Sequence, residues 1–232
     1  MDASEALRQG AGAIPTVLLN PEVQVGGCDS LSIDNVGGAR AIVAHLIALG
    51  HRRIATVTGP AGNIDAHQRL EGHRMALRDA RLEPSASLEL RGDFTERSGY
   101  EAGMQLVSRR PRPTAVFVAN DPMAVGVLGA LQDAGVEVPR AMAVAGFDDI
   151  PMARYLTPPL TTIHVDMLAL GQRAVHLLTT PCPDRTPRRE TVPTTLVVRA
   201  SCGSAPPSQA GSRPRWERRH AVSMPRRGGA ET

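Results

Sequence analysis

At 232 residues the chain is long enough for one large domain or two lobes with their own cores. Its 42% apolar content is ordinary for a globular protein, and with no apolar run of about 18 residues and no basic-then-apolar leader, a cytoplasmic chain that contacts no membrane is expected. All 26 basic residues are arginine, which excludes a Walker A lysine and Schiff-base chemistry; six of them follow residue 202, so residues 1–202 carry 20 arginines against 21 acids and offer no duplex-DNA footprint.

In chain order, short apolar runs alternate with longer amphipathic segments, the pattern of a parallel sheet covered by helices. Strands are predicted at Ile14–Leu19, Arg53–Thr58, Leu88–Arg91, Thr114–Ala119, Met142–Phe147 and Thr194–Val198. Helices are predicted around 36–49, 64–81, 96–109, 121–134 and 166–178. In the first, Val36, Ala39, Val43, Leu46 and Ile47 fall on one face, and Gly50 supplies the stop. In the fourth, Asp121 stands where an N-cap belongs, Pro122 at N1, and Gly135 closes the end. Residues 203–232 are rich in Pro, Gly, Ser and Arg without apolar periodicity, so a disordered tail is expected there.

Several chemistries lack their residues. Cys28, Cys182 and Cys202 have no C-x-x-C spacing, so neither a disulfide framework nor a zinc site is expected, and no metal or cofactor is implied. No G-x-G-x-x-G follows a strand, and neither G-x-S-x-G nor H-E-x-x-H occurs. Without a nucleophile–base or metal constellation, an enzyme is not expected.

Four segments place polar residues directly after apolar strands, at the carboxyl ends where open α/β sheets take ligands. They are Val57-Thr58-Gly59-Pro60 leading to Arg69, Gly92-Asp93-Phe94-Thr95, Ala119-Asn120-Asp121-Pro122-Met123-Ala124, and Gly146-Phe147-Asp148-Asp149-Ile150-Pro151. With Gly50-His51-Arg52-Arg53-Ile54-Ala55 and Pro158-Pro159-Leu160-Thr161-Thr162, in that order and spacing, residues 13 to about 202 closely resemble the effector-binding core of the lactose/galactose-repressor (LacI/GalR) family of bacterial transcription regulators.

The resemblance implies an α/β, two-lobed periplasmic-binding-protein-like fold of parallel sheets flanked by helices, with a small effector, sugar or nucleobase-like, held between the lobes. It implies Arg69, Asp148, Asn120 and Phe94 as effector-binding residues, with Asn20 and Asp34 from the other lobe. Arg69 would meet vicinal hydroxyls or a carboxylate, Asp148 would accept from hydroxyls, and Phe94 would stack on a ring. Read without the family, Arg69 is equally a solvated helix arginine, Asp148 and Asn120 turn or cap residues, and Phe94 a core residue. Asp121 and Asp149 read as caps or braces.

Against the family pattern, the chain starts at the last helix and strand of the amino-terminal lobe, which is expected to be incomplete. Residues 1–50 are assigned to its remnant, 51–163 to the carboxy-terminal effector lobe, 164–180 to a returning helix of the first lobe, 181–202 to a closing strand and 203–232 to the tail. The expected partners are an effector, a second copy in a homodimer, and operator DNA only through a helix-turn-helix absent from these residues. The competing reading is a sugar-binding protein of a transport system, which shares the two-lobed architecture.

Overall fold

The computed structural model describes residues 15–22, 27–180 and 186–203. The tail and the start of the strand expected from Ile14 lie outside the described residues. Strands β1 (Val17–Leu19) and β2 (Asp29–Ile33) lead into helix α1 (Asn35–Ala48). Three strand–helix repeats follow, β3 (Ile54–Thr58) with α2 (Ile64–Asp79), β4 (Glu89–Arg91) with α3 (Glu96–Ser108) and β5 (Ala115–Val118) with α4 (Asp121–Asp133), and then strand β6 (Ala143–Ala145). The chain then runs through β7 (Thr162–His164), α5 (Met167–Thr179), β8 (Arg189–Val192) and β9 (Thr195–Val197).

Strands β4-β3-β5-β6 form a parallel sheet, with Ile54 opposite Ala115 and Ala115 opposite Ala143. Its inner strands β3 and β5, with β6, are buried on both faces because both are covered, as parallel sheets require, while the edge strand β4 buries only Leu90. On one face Ala55, Val57, Val116, Val118 and Val144 pack against Leu106 of α3 and Met123, Val127 and Leu131 of α4. On the other, Ile54, Ala115, Phe117 and Ala145 pack against Ile42, Val43 and Leu46 of α1 and Ala76 and Leu77 of α2. Helices α3 and α4 approach at glycine: a Cβ on Gly126 would lie 1.9 Å from the Glu96 carbonyl oxygen.

The second sheet is β1-β2-β8, also parallel, with α5 packed on it through the buried Leu170 and Leu177. Strands β7 and β9 pair antiparallel, with Ile163 opposite Leu196. Among the described residues no helix is long and apolar enough to cross a membrane.

Helix α1 packs on α2, and its Ile42, Val43 and Leu46 share one core with Phe117 and Ala145 of the four-stranded sheet and Leu31 and Ile33 of β2. Two sequence expectations change. The single closing strand is two strands in different sheets: β8 extends the pairing of β2, and β9 pairs with β7. Strands β2 and β7 are not among the expected ones: Asp29-Ser30-Leu31-Ser32-Ile33 carries the alternation of a half-buried strand but only two large apolar residues, and Thr162–His164 is three residues long. Gly50 and Gly135 do end α1 and α4, with φ of 98° and 65° that a side chain would strain.

Candidate functional site

Every strand of the four-stranded sheet delivers its following loop to one end. Arg69 follows β3, Phe94 follows β4, Asn120 follows β5 and Asp148 follows β6. Parallel strands make this arrangement unavoidable, and it places the expected residues along one rim.

Arg69 is set by α2, whose N-cap Asn63 accepts from the Ala66 amide at 2.9 Å. Its side chain is only 7% exposed, with the guanidinium carbon 3.9 Å from the centroid of the Phe147 ring. Nη1 donates to the Ala119 carbonyl at 2.6 Å and stands 3.1 Å from Asp148 Oδ1; Nε donates to Asn35 Oδ1 at 2.9 Å. Burial works against the charge on Arg69, and Asp148, Asp65 and Asp121 work for it. A fork that would otherwise face water is thus largely spent on the protein. Nη2 has no hydrogen-bond partner among the described residues.

Asp148 occupies a left-handed backbone, φ 110°, followed by Asp149 at 57°. Two consecutive non-glycine residues in this region are costly and persist only where the surroundings fix them. The fixing groups are present. The Asp148 amide donates to Ile163 O at 2.8 Å, the Ile150 amide donates to Asp121 Oδ2 at 3.0 Å, and Asp149 receives Arg199 at 2.6 Å and His164 Nδ1 at 3.1 Å. Burial raises the Asp148 pKa and Arg69 opposes the rise. With its side chain 34% exposed, Asp148 is the more open member of the pair.

Phe94 is half-buried, has φ 71°, and lies against the core formed by α3 and α4. Gly59 makes room for it, because a Cβ there would lie 2.4 Å from the ring. Asn120 is bound at both ends: Oδ1 caps α4 by accepting from the Met123 amide at 3.0 Å, and Nδ2 donates to the Phe94 carbonyl at 3.1 Å. The cap of α4 is therefore Asn120 and not Asp121. Asp121 instead braces, fully buried, taking a 2.6 Å bond from the Thr162 hydroxyl, with its pKa pushed up to about 7 by burial.

The two residues expected from the other lobe hold its strand ends. Asn20 Oδ1 accepts from the Ile33 amide at 2.7 Å, and Asp34 caps α1 through the Gly37 amide at 2.8 Å. Sequence reasoning missed Asn35, which is 1% exposed. Its Nδ2 donates to Asp65 Oδ1 at 2.8 Å and Gln68 Oε1 at 3.0 Å while its Oδ1 receives Arg69. An Asn directly after an Asp at a helix start reads as a spare cap; only Asp65, Gln68 and Arg69, at spacings of three and four on α2, hint at a common partner.

The structure thus joins Arg69, Asp148, Asn35 and Asp65 in one network and Phe94 with Asn120 in another, linked where Arg69 meets Ala119. Comparison with known proteins identifies the family of the chain. Residues 43–202 match the family described as periplasmic binding protein-like domain. The ribose operon repressor of Escherichia coli K12 is 41% identical over 175 residues, 75% of this chain and 53% of that protein. The regulator CelR of Thermobifida fusca is 39% identical over 178 residues, 77% of this chain and 50% of that protein. The chain spans about half the length of the curated relatives it matches. Among solved structures, a CelR–cellobiose complex superposes with a TM-score of 0.75 at 33% identity, covering 85% of this chain and 69% of that one. A LacI-family regulator from Enterococcus faecium with bound ribose gives 0.76 at 28% identity, covering 85% and 73%. A LacI-family regulatory protein from Chloroflexus aggregans gives 0.77 at 31%, covering 85% and 71%. The chain belongs to the periplasmic-binding-protein-like domain family, among the effector-binding domains of LacI-type regulators.

Proposed function

We propose that this chain is the effector-sensing part of a LacI-type transcriptional regulator and that it takes a small polyhydroxylated ligand, a sugar, at the rim carrying Arg69 and Asp148. The observation that carries the reading is the Arg69–Asp148 pair: a buried guanidinium with one nitrogen unspent, beside a carboxylate whose side chain is a third exposed. A carboxylate accepts from two vicinal hydroxyls and the guanidinium donates to a third, while Phe94 offers a ring face to the C–H surface of a sugar. Relatives that are repressors and regulators, and structural neighbours with bound ribose or cellobiose, support this over a transport role.

In the whole protein, ligand-driven movement of the lobes would change operator affinity, with a homodimer as the acting unit. Calorimetric titration of the chain with ribose, cellobiose, sucrose and a purine base tests the reading. Saturable binding of one sugar is expected, at about millimolar affinity because charge-assisted bonds to a partly wet Asp148 are screened. Binding of the purine base alone would replace the sugar with a nucleobase, and heat unchanged by Asp148→Asn would remove the site.

A further inference from the structure

The rim opposite the Arg69 site has its own chemistry. Arg53 precedes β3, Ser87 precedes β4, and Arg109 and Arg110 precede β5, so these residues collect at the amino ends of the strands. With Gln105 and Ser108 they line an open depression of about 540 Å³, within the size range of small-molecule sites. Arg52, Arg53, Arg109, Arg110 and Arg112 form no ion pair among the described residues, a concentration at one end, whereas Arg81, Arg91, Arg154 and Arg189, also without one, are scattered along the chain, and Arg40, Arg74, Arg78, Arg97, Arg173, Arg188 and Arg199 each have a carboxylate. The near-neutral balance of residues 1–202 therefore conceals an unbalanced positive end.

Part of this cluster has an ordinary role. Arg110 donates to the carbonyls of Val107 and Arg109, Arg112 to Val107, and Arg52 to Ile47, so these three satisfy the carbonyl ends of α3 and α1. In doing so they offset the negative ends of the helix dipoles, which would otherwise repel an anion. Arg53 and Arg109 are left over. Arg53 spends only Nε, on the Pro111 carbonyl at 3.0 Å. The Arg109 side chain forms no hydrogen bond among the described residues, and its Nε is buried without a partner, a costly placement for a charged donor.

We infer that this depression is a second binding site, taking a small molecule that carries phosphate groups. The terminal nitrogens of Arg53 and Arg109, without hydrogen bonds among the described residues, match phosphate oxygens in pairs, and the Ser87 and Ser108 hydroxyls with the Gln105 amide supply the neutral donors such sites use. The concave shape favours a compact anion over the extended backbone of duplex DNA. A ligand here would touch none of the residues of the Arg69 rim.

The test is calorimetric titration of the full chain with inorganic pyrophosphate, inorganic phosphate and citrate, repeated on Arg109→Gln, Arg109→Lys and the control Arg97→Gln, whose arginine is exposed on α3. Pyrophosphate is expected to bind tighter than phosphate, to lose roughly tenfold or more with Arg109→Gln, as for one charge-assisted bond, and to be unchanged by Arg97→Gln. Arg109→Lys, which keeps the charge and the fold but lacks the fork, is expected to fall between. The arginines after residue 202 are untouched by these changes, so pyrophosphate binding that survives Arg109→Gln belongs to them and overturns the site. Absence of binding, citrate binding as tight as pyrophosphate, or binding of duplex DNA without pyrophosphate would each overturn it as well.

Discussion

The Thr162 hydroxyl donates to Asp121 at 2.6 Å with neither residue open to solvent, and through Asp121 Oδ2 the same carboxylate holds the Ile150 amide at 3.0 Å. One buried acid therefore ties β7, the start of α4 and the loop that presents Asp148.

That acid is expected to make stability fall as pH rises. Its pKa is raised from 3.8 to about 7 by burial, so between those values the folded state binds the extra proton and is favoured at the lower pH. The loss is on the order of 4 kcal/mol by pH 7. In Asp121→Asn this slope should vanish, with some loss of stability because an amide has one acceptor oxygen where the carboxyl has two for the Ile150 N–H and the Thr162 hydroxyl. Denaturant melts at half-unit pH steps measure both; an unchanged slope would show that Asp121 does not titrate here.

His73 is expected to do the reverse. The ring is 1% exposed and stacked on Phe117 at 6.4 Å, and the Ile54 backbone near it does not close a hydrogen bond of good geometry with either nitrogen. Burial lowers its pKa from 6.5 to about 4 despite Glu89 nearby, so the unfolded state takes the proton first and stability is lost as pH falls through that window. His73→Phe should keep the stacking, remove this slope and gain about 2 kcal/mol at pH 5. In the wild type the two groups oppose each other across much the same window. A flat profile from pH 5 to 7 that tilts one way in Asp121→Asn and the other way in His73→Phe is the expected result.

At the Arg69 rim, Asp148→Asn and Arg69→Ala should differ. Both are expected to remove ligand binding, but the amide oxygen introduced by Asp148→Asn can still accept from Arg69, whereas truncating Arg69 strips partners from Asn35, Ala119 and Asp148 at once. A loss of about 2–4 kcal/mol is expected for Arg69→Ala and under about 1.5 for Asp148→Asn. Chemical denaturation beside calorimetry separates the two effects. Equal stabilities would make Arg69 a ligand contact alone.

Gly59→Ala tests Phe94. The new methyl would sit 2.4 Å from the ring, so Phe94 must move while its carbonyl stays tied to Asn120. Sugar affinity is expected to drop roughly tenfold with a stability loss of about 1–3 kcal/mol, as for overpacking at a half-buried ring. Affinity equal to the wild type would show that Phe94 does not meet the ligand.

The sequence made the four-stranded sheet legible because its strands are continuous apolar runs and its loops carry punctuation such as Asn120-Asp121-Pro122 and Gly135. Arg69, Asp148, Phe94 and Asn120 could be placed on one rim because parallel strands send every following loop to the same end. What stayed hidden depends on contacts between distant segments. Nothing local shows that Asn35 will receive Arg69, that α1 will cover the four-stranded sheet, or that β8 and β9 will part into separate sheets. Nor could a charge count reveal that Arg53 and Arg109 meet without a carboxylate, since that is a matter of which arginines find partners.

Strand β2 ends at Ile33 and α1 begins at Asn35, so Asp34 alone separates the three-stranded sheet from the residue that holds Arg69 Nε. Asp34 is itself pinned, its amide to Val192 O at 3.0 Å and its carboxylate to Gly37 at 2.8 Å. At this crossing, one of several between the sheets, a tilt of the three-stranded sheet about Asp34 would turn Asn35 and with it the acceptor that aligns the guanidinium, so a ligand that held the guanidinium would oppose the tilt.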